Sequence, residues 1–329
     1  MKKALLYSIF ALGIASTTLT SCEDIFGGFL DKQPSNELTG EQVFSDWNLT
    51  VQFHLDTYNF LRHGAGRIST TWLDAATDLA EASYGNGVRT SFNIGNFYGG
   101  SGASELVDTW EHYYRGIRKC NMLLTRIEEV PQNPADSEDK YNRDKKNYIA
   151  EARFLRAYFY WELFLRYGPI PIVTEVLDPN GDLMSKYTTR PTTKEYVVDF
   201  ILEELKSCEG NLLDYETAWK SSSAGRIGQP MACALRSRIM LFMASPRYSS
   251  ESGITWQQAA DVAKEFIDTY GTNFALFNAK DATGATLGIE NYTNALLRTA
   301  YQGSNKEVIF YRNDDKQNWG NIKNDTPVG

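Results

Sequence analysis

The chain has 329 residues, 42% of them hydrophobic and 13% aromatic, with a formal net charge of −8. That is enough apolar material for one large core or two joined ones. The acidic balance argues against nucleic acid as a partner, since binding it needs concentrated positive charge. The longest basic run, Lys140 to Lys146, is broken by Asp144 and reads as the solvated start of a helix.

The first residues, MKKALLYSIFALGIASTTLTSC, read as an export signal. Lys2 and Lys3 form its positive end, and the apolar stretch Ala4 to Ala15 is shorter than the about 20 residues that span a bilayer. Leu19-Thr20-Ser21-Cys22 resembles the lipobox of bacterial lipoproteins, which makes residues 1–21 the signal peptide and Cys22 the lipidated first residue of the mature chain. The following Glu23-Asp24 resembles the acidic tags of surface-exported lipoproteins. No later apolar run approaches membrane-spanning length, so the expected attachment is through the lipid alone. Cys120, Cys208 and Cys233 remain, an odd number without close spacing. They fit neither a disulfide framework nor a zinc site, and are expected in the core.

Phe29 to Asn36 reads as a tether. Thr39-Gly-Glu-Gln42 is a capping-box pattern, opening a helix to His63-Gly64 with a break near Asn48 and Val51, Leu55 and Tyr58 facing inward. Arg62 to Ser104 mixes glycines with Trp72, Tyr84, Phe92, Phe97 and Tyr98, the composition of a loop-built binding surface. Ser104 opens a long helix whose stripe is Leu106, Trp110, Tyr113, Ile117, Cys120, Leu124 and Ile127. A polar linker, Pro131 to Asp139, leads to a central helix over 144–167, making a helical hairpin. That helix is apolar on every side of its second half, so it sits inside other helices. Its charges Glu151, Arg153, Arg156, Glu162 and Arg166 are expected to pair, Glu162 with Arg166 at i,i+4, and Gly168-Pro169 stops it.

Asp178-Pro-Asn-Gly-Asp182 has the residue types of a calcium loop, but its glycine falls two places early and position 12 is Thr189, so it reads as a turn. Thr192-Thr-Lys-Glu195 caps a helix with Val197, Ile201, Leu205 and Cys208 inward. Pro230 starts the next, with Met231, Leu235, Ile239 and Phe242 inward. Thr255-Trp-Gln-Gln258 caps a third, with Trp256, Ala259, Ala263, Phe266 and Tyr270 inward and Gly271 at its end. Gln229–Ala244 and Trp256–Tyr270 resemble a tetratricopeptide pair. The expected fold is all-α, with helix pairs in a superhelical scaffold, an irregular loop-rich ligand face and little β structure. The expected organisation is a region over 22–228, then the helix pair and an incomplete C-terminal region over 229–329. Asn305 to Tyr311 reads as a strand or a short buried run.

Taken together, these residues resemble the SusD/RagB family of outer-membrane lipoproteins. The matches are the lipobox, Phe29-Leu30-Asp31, Trp110 with Tyr114, Ile117 and Cys120-Asn121, and above all Glu151-Ala-Arg-Phe-Leu-Arg-Ala157 running to Tyr167-Gly-Pro-Ile-Pro171. Arg190-Pro191, Gly225-Arg226 and Asn305-Lys-Glu307-Val-Ile309 follow in the family's order. The resemblance implies a non-catalytic, surface-facing outer-membrane protein without cofactors. Such a protein captures glycan and lids a TonB-dependent transporter of the SusC type. Family members run well past this chain's last residue, which implies a fragment or truncated form. By position, the resemblance assigns ligand contacts to Trp72, Tyr84, Asn86, Arg89 and Tyr98, and to Asn318 and Trp319.

Sugars present apolar C–H faces to aromatic rings and hydroxyls to planar polar groups, which those residue types supply. A peptide ligand, as for relatives of the RagB type, suits the same face. The enzyme alternative, a helical glycoside hydrolase, needs two carboxylates across a cleft. Asp74, Asp78 and Glu81 are close in sequence but at helical spacing on one face, and His54, His63 and His112 have no metal-ligand spacing.

Overall fold

Three helix starts in this protein are fixed by reciprocal side-chain caps. The computed structural model describes residues 39–61, 104–178, 180–182, 187–278, 280–297 and 305–312, together with Thr77, Asp78, Ile94, Gly95 and Ser185. In it Thr39 and Gln42 exchange backbone-to-side-chain hydrogen bonds of 2.8 and 3.3 Å. Thr192 and Glu195 do so at 2.7 and 3.2 Å, and Thr255 and Gln258 at 2.8 and 3.2 Å. Each pair satisfies N–H groups that a first helical turn leaves without partners.

The chain divides into two compact units, Met1–Val43 and Phe44–Gly329. The first is described only from Thr39, where α1 (Gly40–Phe44) begins. The second holds α2 (Trp47–Asp56), prolonged by a 3-10 turn over Thr57–Phe60, then α3 (Ser104–Arg126) and α4 (Glu138–Tyr167). A π-helical stretch, Lys194–Leu202, runs into α5 (Glu203–Glu209), followed by the single turn α6 (Tyr215–Ala218). Then come α7 (Gln229–Met243), α8 (Ser249–Ser252), α9 (Trp256–Tyr270) and α10 (Gly288–Leu297). The helices α3 and α4 pair, as do α7 and α9, and α5 packs on both α4 and α7. This is the all-α, tetratricopeptide-like scaffold. Among the described residues no strand forms, and Val308 to Tyr311 is an irregular, half-buried run.

The central helix α4 has 30 residues, about 45 Å at 1.5 Å per residue. It opens at Glu138 rather than Asp144 because Ser137 caps it, accepting from the Lys140 N–H at 3.3 Å. Ala152, Phe154, Leu155, Ala157, Phe159, Tyr160 and Leu163 are all fully buried. Each such Phe or Leu contributes about 1.5–3 kcal/mol on transfer from water. At its end Gly168 has φ +66°, a conformation side chains disfavour, and its N–H bonds the Phe164 carbonyl at 2.9 Å. The exit chain is then pinned by Tyr160, whose hydroxyl donates to the Val173 carbonyl (3.0 Å) and accepts from the Val173 N–H (2.7 Å).

Close approach of α3 to α4 requires Gly116, where a Cβ would lie 2.7 Å from the Phe159 ring. Tyr113 stacks on the same ring, with centroids 5.5 Å apart. The inward residues of the α5 helix and its π-helical start, Val197, Ile201, Leu205 and Cys208, are those the spacing predicts.

Several faces differ from expectation. On α2 and the 3-10 turn after it the buried positions are Trp47, Thr50, His54 and Thr57, while Leu55 is exposed. Thr50 turns inward because its hydroxyl bonds the Asp46 carbonyl (2.9 Å), and His54 because it meets a buried carboxylate. On α3 Leu123, not Leu124, reaches the core, and Trp110 is 41% exposed. On α7 Met243 is buried and Phe242 lies against Trp161 and Tyr248 at the rim. Trp256, at the first turn of α9, points outward and is 56% exposed.

Candidate functional site

The charged residues that carry the central motif serve the scaffold. Glu204 on α5 takes a fork from Arg153 (3.1 and 2.7 Å) on one oxygen and a fork from Arg156 (3.1 and 2.6 Å) on the other. Arg156 also donates to Asn121 at 2.9 Å, and Asn121 in turn donates to the Val173 and Glu175 carbonyls, both at 3.0 Å. Glu162 receives Arg166 at 3.1 Å and the Tyr113 hydroxyl at 3.3 Å.

Glu151 is fully buried. Its two oxygens meet His54 Nε2 at 2.8 Å and Arg226 Nε at 2.9 Å, and the Arg226 guanidinium lies over the Tyr148 ring. Burial alone would raise the Glu151 pKa, but the Arg226 charge and the His54 contact outweigh it and hold the carboxyl below its ordinary value. Sequence spacing does not reveal this constellation, because His54, Glu151 and Arg226 are far apart in the chain. A carboxylate with both oxygens held this way is a structural anchor.

The remaining polar groupings are also occupied. Among the described residues Glu209, Cys233 and Glu265 come close enough together to hold a metal ion. Arg236 already bonds Glu209 at 2.6 Å and Glu265 at 2.9 Å, and the Tyr270 hydroxyl donates to Glu209 at 2.8 Å. Burial pushes the Cys233 thiol up to about 12, so it offers no thiolate. The trio fits an ion-pair clamp better than a cation site. Cys120 and Cys208 are likewise buried, free and pushed up to about 12. The Asp178 segment is a turn, with the Asp178 side chain accepting from the Asn180 N–H at 2.9 Å. Asp78 is an exposed turn residue, while Asp74, Glu81 and His63 lie outside the described residues.

Every assigned ligand residue, Trp72, Tyr84, Asn86, Arg89, Tyr98, Asn318 and Trp319, lies outside the described residues, as does Cys22. What is described is where those two stretches join the body. Arg312 donates to the Leu61 carbonyl at 2.6 Å, and His112 Nε2 lies 3.0 Å from the Phe60 carbonyl. Burial depresses the His112 pKa; the Phe60 bond opposes that and the nearby Arg312 and Arg115 charges add to it.

Two of the ring groups among the described residues include a tryptophan beside a crevice or solvent. Trp219 sits 5.4 Å from Tyr311 in a crevice also lined by Tyr215, Arg226 and Phe310, with room for ≈ 20 Å³, about one water. Trp110 rests against Tyr114 (4.8 Å) and Tyr167 (5.2 Å) and stays open to solvent. The helical stripe hides Trp110 from a sequence reading; its place in the first turns after an aromatic loop is the one available signal.

Residues 28–241 match the SusD-like family model, described as starch-binding and associating with the outer membrane. Among curated proteins, SusD-like protein P38 of Formosa agariphila is 25% identical over 216 residues, covering 64% of this chain and 39% of the relative. A SusD-like protein from Bacteroides fragilis shares the fold with TM-score 0.55 at 24% identity, covering 85% of this chain and 47% of that one. A laminarin-binding SusD-like protein does so with TM-score 0.51 at 21% identity, covering 74% and 47%. The chain spans less than half the length of each of these relatives. Among the described residues no helix is long and apolar enough to cross a membrane.

Proposed function

We propose, since this chain belongs to the SusD-like family, that it captures a glycan at the outer membrane and passes it to a TonB-dependent transporter of the SusC type without cleaving it. The observation that carries this reading is the family match over 28–241, with its starch-binding description. Anchoring is through lipid on Cys22, facing the cell exterior, and ligand contacts come from Trp72, Tyr84, Asn86, Arg89, Tyr98, Asn318 and Trp319. The non-catalytic role is supported by the buried carboxylates Glu151, Glu162 and Glu204 and the half-buried Glu209, each already committed to arginine. Affinity electrophoresis in gels containing starch or laminarin, with reducing-end assays alongside, tests the reading. Retardation without release of reducing sugar supports it. Sugar release overturns the non-catalytic part, and full binding by the Trp72→Ala, Tyr84→Ala and Trp319→Ala variants overturns the site. Cys22→Ala leaving the protein in the membrane fraction overturns the anchor.

A further inference from the structure

We infer that Trp110, Tyr114 and Tyr167 form a separate ring platform that takes one pyranose unit of a neutral glycan. The inference rests on the glycan reading above but uses other residues. The tryptophans of the described body differ in what they can do. Trp47 and Trp161 are buried, and Trp219 faces a crevice with room for about one water. Trp256 is 56% exposed but has no ring contact among the described residues. Trp110 alone of these is both open, at 41%, and held by two neighbouring rings, Tyr114 inclined at 42° and Tyr167 at 80°.

The two holders are themselves fixed. The Tyr114 hydroxyl donates to the Pro171 carbonyl at 3.1 Å. The carbonyls of Tyr167 and Pro169 accept from Arg190 Nη1 at 3.2 and 3.4 Å. An indole locked in place loses little freedom when a ligand lands on it. Its electron-rich face suits the C–H face of a pyranose.

The rim supplies hydroxyl partners. Arg190 is exposed, and those two bonds use only Nη1, leaving Nε and Nη2 as donors. An uncharged ring with guanidinium donors at its edge suits a hydroxylated ligand and disfavours a basic one.

The test is affinity electrophoresis of the full chain in laminarin and starch gels, with Trp110→Ala, Trp110→Phe and, as control, Trp256→Ala. Trp110→Ala is expected to weaken retardation about 5–10-fold, Trp110→Phe to keep most of it and Trp256→Ala all of it. Unchanged retardation of Trp110→Ala overturns the platform and leaves the proposed function standing. Equal loss in Trp256→Ala also overturns it. A wild-type chain that is not retarded by either glycan overturns both readings. If Trp110→Ala does not fold, tryptophan fluorescence decides. A laminarin-induced change present in wild type and missing in Trp110→Phe supports the platform, and the same change in both overturns it.

Discussion

Replacing Glu151 by alanine tests whether the central motif is a structural device. The carboxylate is fully buried, its partner His54 is equally enclosed, and the Arg226 side chain is only 19% exposed. Removing one member of a buried pair costs about 3–5 kcal/mol, because the other charge stays desolvated. Arg226 keeps some exposure and the Tyr148 ring beneath it, which places the expected loss near the lower end, about 3 kcal/mol. In a protein of a few hundred residues that lowers Tm by roughly 6–12 °C. Urea denaturation followed by far-UV circular dichroism measures it. A cycle of Glu151→Ala, Arg226→Ala and the double variant should show a coupling above about 1 kcal/mol. A loss under about 1 kcal/mol, or strict additivity, refutes the argument. The folded-state pKa of Glu151 lies below the ordinary 4.5, so its contribution is fully present above pH 4.5. It is lost as pH falls through the depressed value. The stability gap between wild type and Glu151→Gln should therefore be flat from neutrality down to about pH 4.5 and close only in stronger acid.

Further expectations concern packing, caps and thiols. Gly116→Ala places a methyl 2.7 Å from the Phe159 ring and should cost about 1–3 kcal/mol by forcing that ring aside, read in the same denaturation assay. Thr255→Ala removes the capping box of α9 and should cost about 1 kcal/mol, with helix loss confined to that element by hydrogen exchange. Cys120, Cys208 and Cys233, buried and pushed up to about 12, should resist iodoacetamide at pH 8 in the native state and label only after unfolding, as mass spectrometry would show.

What could be read directly from the residues was local. The capping boxes at Thr39, Thr192 and Thr255, the Gly168 stop and the Pro230 start appear where their short-range patterns place them, because each involves groups within a turn of one another. The buried histidine on α2 was not legible, since its reason is a carboxylate 97 positions away. Trp110 and Trp256 fit helical stripes yet face outward, because a stripe gives spacing but not how far around the helix the neighbours extend. The ligand residues had no periodicity to argue from. They were assigned by resemblance, and they remain a proposal.

The polar contacts of α4 have one more consequence, for its rotation about its own axis. The second half of α4, apolar on every side, gains similar burial at any azimuth, so hydrophobicity alone leaves its rotation weakly determined. Glu151 facing α2 and Arg226, Arg153 and Arg156 facing α5, and Glu162 facing α3 remove that freedom. A twist of one residue, about 100°, would break these pairings at once and leave the buried Glu151, Arg156 and Glu162 without their partners. The ion pairs therefore act as a key that admits one angular setting of the central helix, and every surface built on the scaffold inherits its orientation from that setting.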